Sequence, residues 1–243
     1  MKSRLSVVLL FVLLPLLVRA QDDATLYLQQ AGGSALLYRG HIANSYPMAY
    51  NGTYFWESPV FVQGSVTYNG RVYRDVRLNI DAVRQDLLVE SPAVNIDSKV
   101  LAREFVERFS LGARPFLNLR RVLGPEAPDG YWEVLYDGRV KLVKQISRSL
   151  RKDVDGSLWA QAGYEEGHVN TGGGALMTFV RTVRYGYITE EGSFVPVRKR
   201  SDILRYYKDR KREINRHVSN METAGRLSFE RFALEAVQFA ESR

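Results

Sequence analysis

The sequence predicts an α+β fold, a mainly antiparallel β body, curled or barrel-like, with a C-terminal two-helix tail and an N-terminal signal peptide before it. Three features lead to this. From Ala24 to about Val197, short apolar runs alternate with period two and are punctuated by Asn-Gly, Asp-Gly and Pro. After Val197 the apolar spacing changes to a helical period, and the first twenty residues have the layout of an export signal. The expected division is therefore a signal peptide over residues 1–20, a β-rich body over 21–197 and a helical tail over 198–243.

The signal begins with Lys2 and Arg4, continues as an apolar run from Leu5 to Val18 broken only by Ser6 and Pro15, and reaches Ala20 before the polar Gln21-Asp22-Asp23. That run is short for a membrane span, and cleavage is expected after Ala20. No second long apolar segment follows, so the mature chain is expected to have no transmembrane span. The chain has no cysteine, which excludes a disulfide scaffold, a thiolate metal site and a cysteine nucleophile. Export without cysteine fits a bacterial envelope, so the expected address is periplasmic, outer-membrane-associated or secreted. With 14 Tyr, 11 Phe, 3 Trp and 45% apolar residues, the chain can fill a sizeable core.

Along the body, the clearest strand is Arg71 to Asp81, with Val72, Val76, Leu78 and Ile80 on one face. Ser65 to Tyr68 precedes it across Asn69-Gly70, a two-residue hairpin signal. A second hairpin joins Tyr131–Tyr136 to Arg139–Ser147 at Asp137-Gly138, with Val140, Leu142 and Ile146 in phase. A third joins Thr178–Ile188 to Ser193–Val197 through Glu190-Glu191-Gly192. Shorter strands are expected at Thr25–Gln29, Asp86–Val89, Glu104–Phe109 and Phe116–Leu119, which gives at least eight strands in all. Trp159 to Ala175 holds five glycines and reads as a long mobile loop.

In the tail, Ser201 is the expected N-cap of one amphipathic helix of about five turns, whose apolar face is Ile203, Tyr207, Ile214, Val218 and Met221. Gly225 ends it, and Ser228 caps a second helix with Phe229, Phe232, Ala233, Ala236, Val237, Phe239 and Ala240 on one face. Loss of the signal removes Lys2, Arg4 and Arg19 and lowers the net charge from +7 to +4. Arg198 to His217 alone holds nine Lys/Arg against three Asp/Glu, so the surplus charge is local.

Within that segment Arg205, Lys208, Arg212 and Arg216 form a stripe opposite the apolar face, the best candidate for contact with an envelope protein or an anionic surface. Nucleic acid is not an expected partner, because the chain reads as exported and the stripe has no interleaved aromatic platform. Tyr50, Tyr54, Phe55 and Trp56, beside Tyr46, form an aromatic run between turn residues that either holds a small ligand at a barrel mouth or plugs it. His41, His168 and His217 lie in separate contexts, which gives no metal expectation. Asp75, Asp81, Asp86, Glu133 and Asp137 lie on or beside strands and read as solvent-face or turn residues rather than a catalytic pair. No phosphate-binding, dinucleotide or serine-hydrolase motif is present, and no cofactor is expected.

The strand Gly70-Arg71-Val72-Tyr73-Arg74-Asp75-Val76-Arg77-Leu78-Asn79-Ile80-Asp81 is one of several stretches that carry a family likeness. The others are Asp86-Leu87-Leu88-Val89, Gly130-Tyr131-Trp132-Glu133-Val134-Leu135-Tyr136-Asp137-Gly138 and Arg200-Ser201-Asp202-Ile203-Leu204. Together they resemble a group of exported β-rich proteins of Bacteroidetes-type bacteria, a family of unknown function. The resemblance implies a shared β body and helical tail, and it brings no catalytic residues with it. The expected function is a non-enzymatic envelope or secreted binding protein. A lipid or glycan carrier is the alternative, and a carboxylate-dependent hydrolase a remote one.

Overall fold

The computed structural model describes residues 26–28, 30–32, 35–46, 50–92, 97–152, 177–222 and 225–242. The signal peptide, its cleavage site, His168 and the glycine-rich stretch 159–175 lie outside the described residues. Ten strands form one antiparallel sheet: β1 (Val62–Tyr68), β2 (Arg71–Asp81), β3 (Asp86–Val89), β4 (Lys99–Leu101), β5 (Val106–Leu111), β6 (Arg114–Asn118), β7 (Tyr131–Asp137), β8 (Lys141–Lys152), β9 (Met177–Ile188) and β10 (Phe194–Val197). Their order is β10-β9-β8-β7-β6-β5-β1-β2-β3-β4, two meanders that meet where β1 pairs with β5.

The link between β4 and β5 makes the sheet curl. In a flat sheet those strands, four positions apart in the order, would be separated by about 19 Å. Only residues 102–105 join Leu101 to Val106, and Arg103–Phe105 form a 3₁₀ turn, so the link spans less than the roughly 19 Å of a fully extended chain. Strands β5, β1, β2, β3 and β4 therefore wrap around a core that includes Val66, Leu78, Ile80, Leu87, Phe109 and Phe116. The sheet does not close into a barrel: β4 and β10 are its two ends. Residues 41–43 cover the β4 edge, where Val100 N–H donates to His41 O and Ala43 N–H to Ser98 O. At the other end Thr189 N–H donates to Ser193 O, so in the alternating ladder Val195 and Val197 face β9 and Pro196 faces outward. Proline has no N–H to offer a further strand, which blunts this edge.

Several expectations need correction. Residues 26–28, read as part of a strand, are helical. Glu104 and Phe105 belong to the 3₁₀ turn before β5, and Leu119 opens a short helix, α1 (Leu119–Leu123). Strand β4 has no counterpart among the expected strands. In β2 the inward row is Tyr73, Val76, Leu78 and Ile80, so Val72 is not part of it. The cause is a β-bulge: Gly64 opposes Val76 and Val66 opposes Tyr73, which leaves Ser65 facing both Arg74 and Asp75. Asp75 takes up the extra residue at φ 57°. The expected turn at Asn69-Gly70 is present, with φ of 51° and 73° as a type I′ turn requires.

The tail packs on the second meander. Its first expected helix is broken into α2 (Arg200–Tyr206), a 3₁₀ turn (Lys208–Arg210) and α3 (Lys211–Met221), because Tyr207 leaves helical geometry at φ −99°, ψ 47°. The last helix, α4 (Phe229–Glu241), is capped by Ser228, whose hydroxyl accepts from Arg231 N–H at 3.2 Å. Its face of Phe232, Ala233, Ala236, Val237 and Ala240 buries against Ile203, Ile214, Val218, Leu142 and Tyr187.

Candidate functional site

Helix α2 starts one turn's edge earlier than expected. Its N-cap position is Lys199 rather than Ser201. Asp202 does the capping: its carboxylate accepts from Arg198 N–H at 3.0 Å and Lys199 N–H at 3.2 Å. Those backbone bonds, led by the one from Arg198, hold the Asp202 carboxyl below its ordinary range. At the other end of the tail, Arg210 donates to Phe239 O at 3.1 Å and Ala240 O at 2.7 Å and lies over the Phe239 ring at 4.9 Å. It thus satisfies carbonyls that α4 leaves open at its C-terminus. Arg200 binds Glu222 at 2.9 Å and Leu227 O at 2.7 Å. These two arginines hold the tail together.

The four stripe residues play no such part. Arg205, Lys208, Arg212 and Arg216 are all exposed, and the nearest anion to Arg205 is Asp202 at 3.8 Å. Arg205 and Lys208, with Arg198, line a cleft of about 610 Å³ between α2 and β10, walled by Val195, Pro196 and Tyr206. Tyr187, 0% exposed, also lines it, and its hydroxyl has no hydrogen-bond partner among the described residues. Burial pushes the Tyr187 phenol well above its ordinary range, so it stays protonated and can act as a donor. Arg212 and Arg216, on α3, do not line this cleft, so the stripe falls into two groups.

The aromatic run holds the curl together. Trp56 N–H donates to Ile80 O and Ala82 N–H to Tyr54 O on the β2 side, while Asn51 pairs with Thr178 at the start of β9. Arg148 donates to Phe55 O at 2.7 Å. Residues 51–56 thus lace the end of β2 to β8 and β9. Trp56 is buried against Phe116, and Phe55 packs with Leu88 and Val100. Tyr50 and Tyr54 are half-buried and meet Tyr46 and Phe179 edge-on or tilted, with ring centroids 4.7–6.5 Å apart. Tyr54 also stacks on Phe55 at 4.2 Å, so Tyr50, Tyr54 and Phe55 form one connected group, while Trp56 belongs to the core of the curl.

Two of the carboxylates read as solvent-face or turn residues are buried. Glu133 sits between Lys144 Nζ at 2.7 Å and Arg114 Nε at 2.9 Å, with side-chain exposures of 5% for Glu133 and 4% for Lys144. Arg114 also reaches Glu57 at 2.6 Å and lies over Trp56 at 4.4 Å, while Lys144 reaches Glu230 of α4 at 3.3 Å. Asp81 accepts from Val83 N–H at 2.8 Å, Arg84 N–H at 3.0 Å and Tyr46 O–H at 3.1 Å. Burial raises the Asp81 carboxyl above its ordinary range, and those bonds oppose the shift. Both carboxylates are committed to structural partners. His41 is exposed, and His217 stacks on Phe239 with Nε2 3.7 Å from Glu235. Among the described residues no group of three or more His, Asp or Glu is placed to hold a metal ion. No described helix is long and apolar enough to cross a membrane.

Sequence reasoning missed the Tyr187 cleft, since its lining comes from β9, β10 and α2 and only the folded arrangement brings them together. Comparison with models of protein families, with curated proteins and with solved structures finds no match for this chain.

Proposed function

We propose that the chain is an exported, non-enzymatic binding protein that engages an acidic surface of an envelope partner through its C-terminal helices. Export rests on the signal read in residues 1–20. The observation that carries the binding reading is the cleft between α2 and β10, where Arg198, Arg205 and Lys208, with Asp202 among them, flank apolar walls of Val195, Pro196 and Tyr206. Cations beside apolar walls suit an acidic segment that also buries apolar surface, since electrostatic complementarity sets partner choice and apolar contact adds affinity. Arg212 and Arg216 lie exposed on α3, outside the cleft.

Reversing the charges in the full chain (Arg205→Glu, Lys208→Glu, Arg212→Glu and Arg216→Glu) tests this. Cross-linked envelopes from cells expressing each form are compared for stoichiometric co-purifying proteins. The expected result is loss of the partner with unchanged export and unchanged circular dichroism. Retention of the same partners by the reversed protein overturns the reading.

A further inference from the structure

A second cavity, of about 410 Å³, opens across β10 from the Tyr187 cleft. Its lining includes Trp132, Tyr185, Phe194 and Phe229, with Arg184 and Arg198 at its polar part. The aromatic walls are fixed. Phe194 lies over Gly186, where a Cβ atom would collide with its ring, and it meets Trp132 edge-on at 4.9 Å. Tyr185 is tethered by its hydroxyl to Glu230 at 2.9 Å and meets Phe229 at 5.0 Å.

Three donors here have no partner among the described residues. Trp132 is 2% exposed, and its indole N–H has no acceptor among the described residues. A buried donor without an acceptor is rare and unfavourable. The guanidinium groups of Arg184 and Arg198 are exposed and have no hydrogen-bond or ion-pair partner among the described residues. A volume near 400 Å³ with aromatic walls and a few convergent polar groups is the form small-ligand sites take.

We infer that this cavity is a binding site for a small organic anion with a flat apolar body, such as an aromatic carboxylate or sulfonate. The ring system lies against Trp132 and Phe194, which share one face of the sheet, and the anionic oxygens accept from the two arginines. The site uses none of the residues reversed in the partner-binding test, so the two ideas fail separately.

The probe is 1-anilinonaphthalene-8-sulfonate, paired with N-phenyl-1-naphthylamine, which has the same rings without the charge. Both are titrated into the full chain, the Arg184→Gln/Arg198→Gln double variant and Trp132→Phe, with the indole N–H signals followed by NMR. The Trp132 signal is identified by its loss in Trp132→Phe. The expected result is one sulfonate bound per chain with a shifted Trp132 indole signal. Loss of two charge-assisted hydrogen bonds should weaken sulfonate binding by about tenfold or more in the double variant and change binding of the neutral probe by less than about twofold. Both arginines are exposed, so that variant keeps its fold even if Trp132→Phe does not. An unmoved Trp132 indole signal, no saturable sulfonate binding, or equal losses for both probes overturns the assignment.

Discussion

Lys144 lies in phase with Leu142 and Ile146 on β8, and its side chain is buried. A lone buried charge is strongly unfavourable, and here Glu133 at 2.7 Å and Glu230 at 3.3 Å compensate for it. Removing one member of such a pair destabilises by about 3–5 kcal/mol, whereas replacing both by neutral groups of similar volume is far milder. Lys144→Met and Glu133→Gln are therefore each expected to lower stability by about 3 kcal/mol, and the double variant by clearly less than the sum. Urea unfolding of the four proteins in a double-mutant cycle measures this, and additive losses would sink the coupling. The phase of Lys144 with Leu142 and Ile146 was legible in the sequence, but its burial was not, since Val143 and Gln145 are buried too. The same holds for Glu133, beside which Trp132 is buried as well: β7 carries α4 on one face and the Trp132 cluster on the other.

At the scale of elements, the first hairpin was legible because Asn69-Gly70 encodes its own backbone geometry, whereas the second turns through residues 138–140 rather than at Asp137-Gly138, and Gly138 takes no positive φ. What failed did so where one residue changes the phase. The bulge at Arg74 and Asp75 shifts the inward row of β2 from Val72 to Tyr73, and a strict period of two cannot register an extra residue. Tyr207 does the same to the helix, so an angular projection at 100° per residue holds within α2 and within α3 but not across them. Asp75 at φ 57° tests the bulge directly, since a β-branched residue resists the left-handed region that glycine accepts freely. Asp75→Val is expected to lower stability by about 1–3 kcal/mol, and Asp75→Gly to stay within about 1 kcal/mol of the wild type. Thermal unfolding of both variants distinguishes a bulge that sets the register from one the sheet can slide past. Equal losses for the two would show that the side chain, rather than the backbone, matters there.

Across the whole molecule, no local pattern announced the order of the strands. The four-residue link from β4 to β5 forces the first meander to wrap on itself, and residues 51–56 then lace that curl to β8 and β9. Two cores result. One fills the curl, and the other lies between β7–β10 and the helices, where Phe232 and Val237 of α4 each contribute about 1.5–3 kcal/mol of burial. The Lys144 network connects them, but Lys144 keeps Glu133 even without α4. Deleting residues 226–243 should therefore uncover Leu142, Tyr187, Ile203 and Val218 while leaving the contacts of Val66, Leu78, Leu87 and Phe109 unchanged. Hydrogen exchange on the truncated chain is expected to show slow amides retained in β1, β2 and β5, with protection lost in β9, β10, α2 and α3. Because both candidate cavities are built on β9 and β10, sulfonate binding should disappear together with that protection. If β1 and β2 lose protection as well, the two cores unfold as one unit, and the helices hold up the curl rather than only covering the second meander.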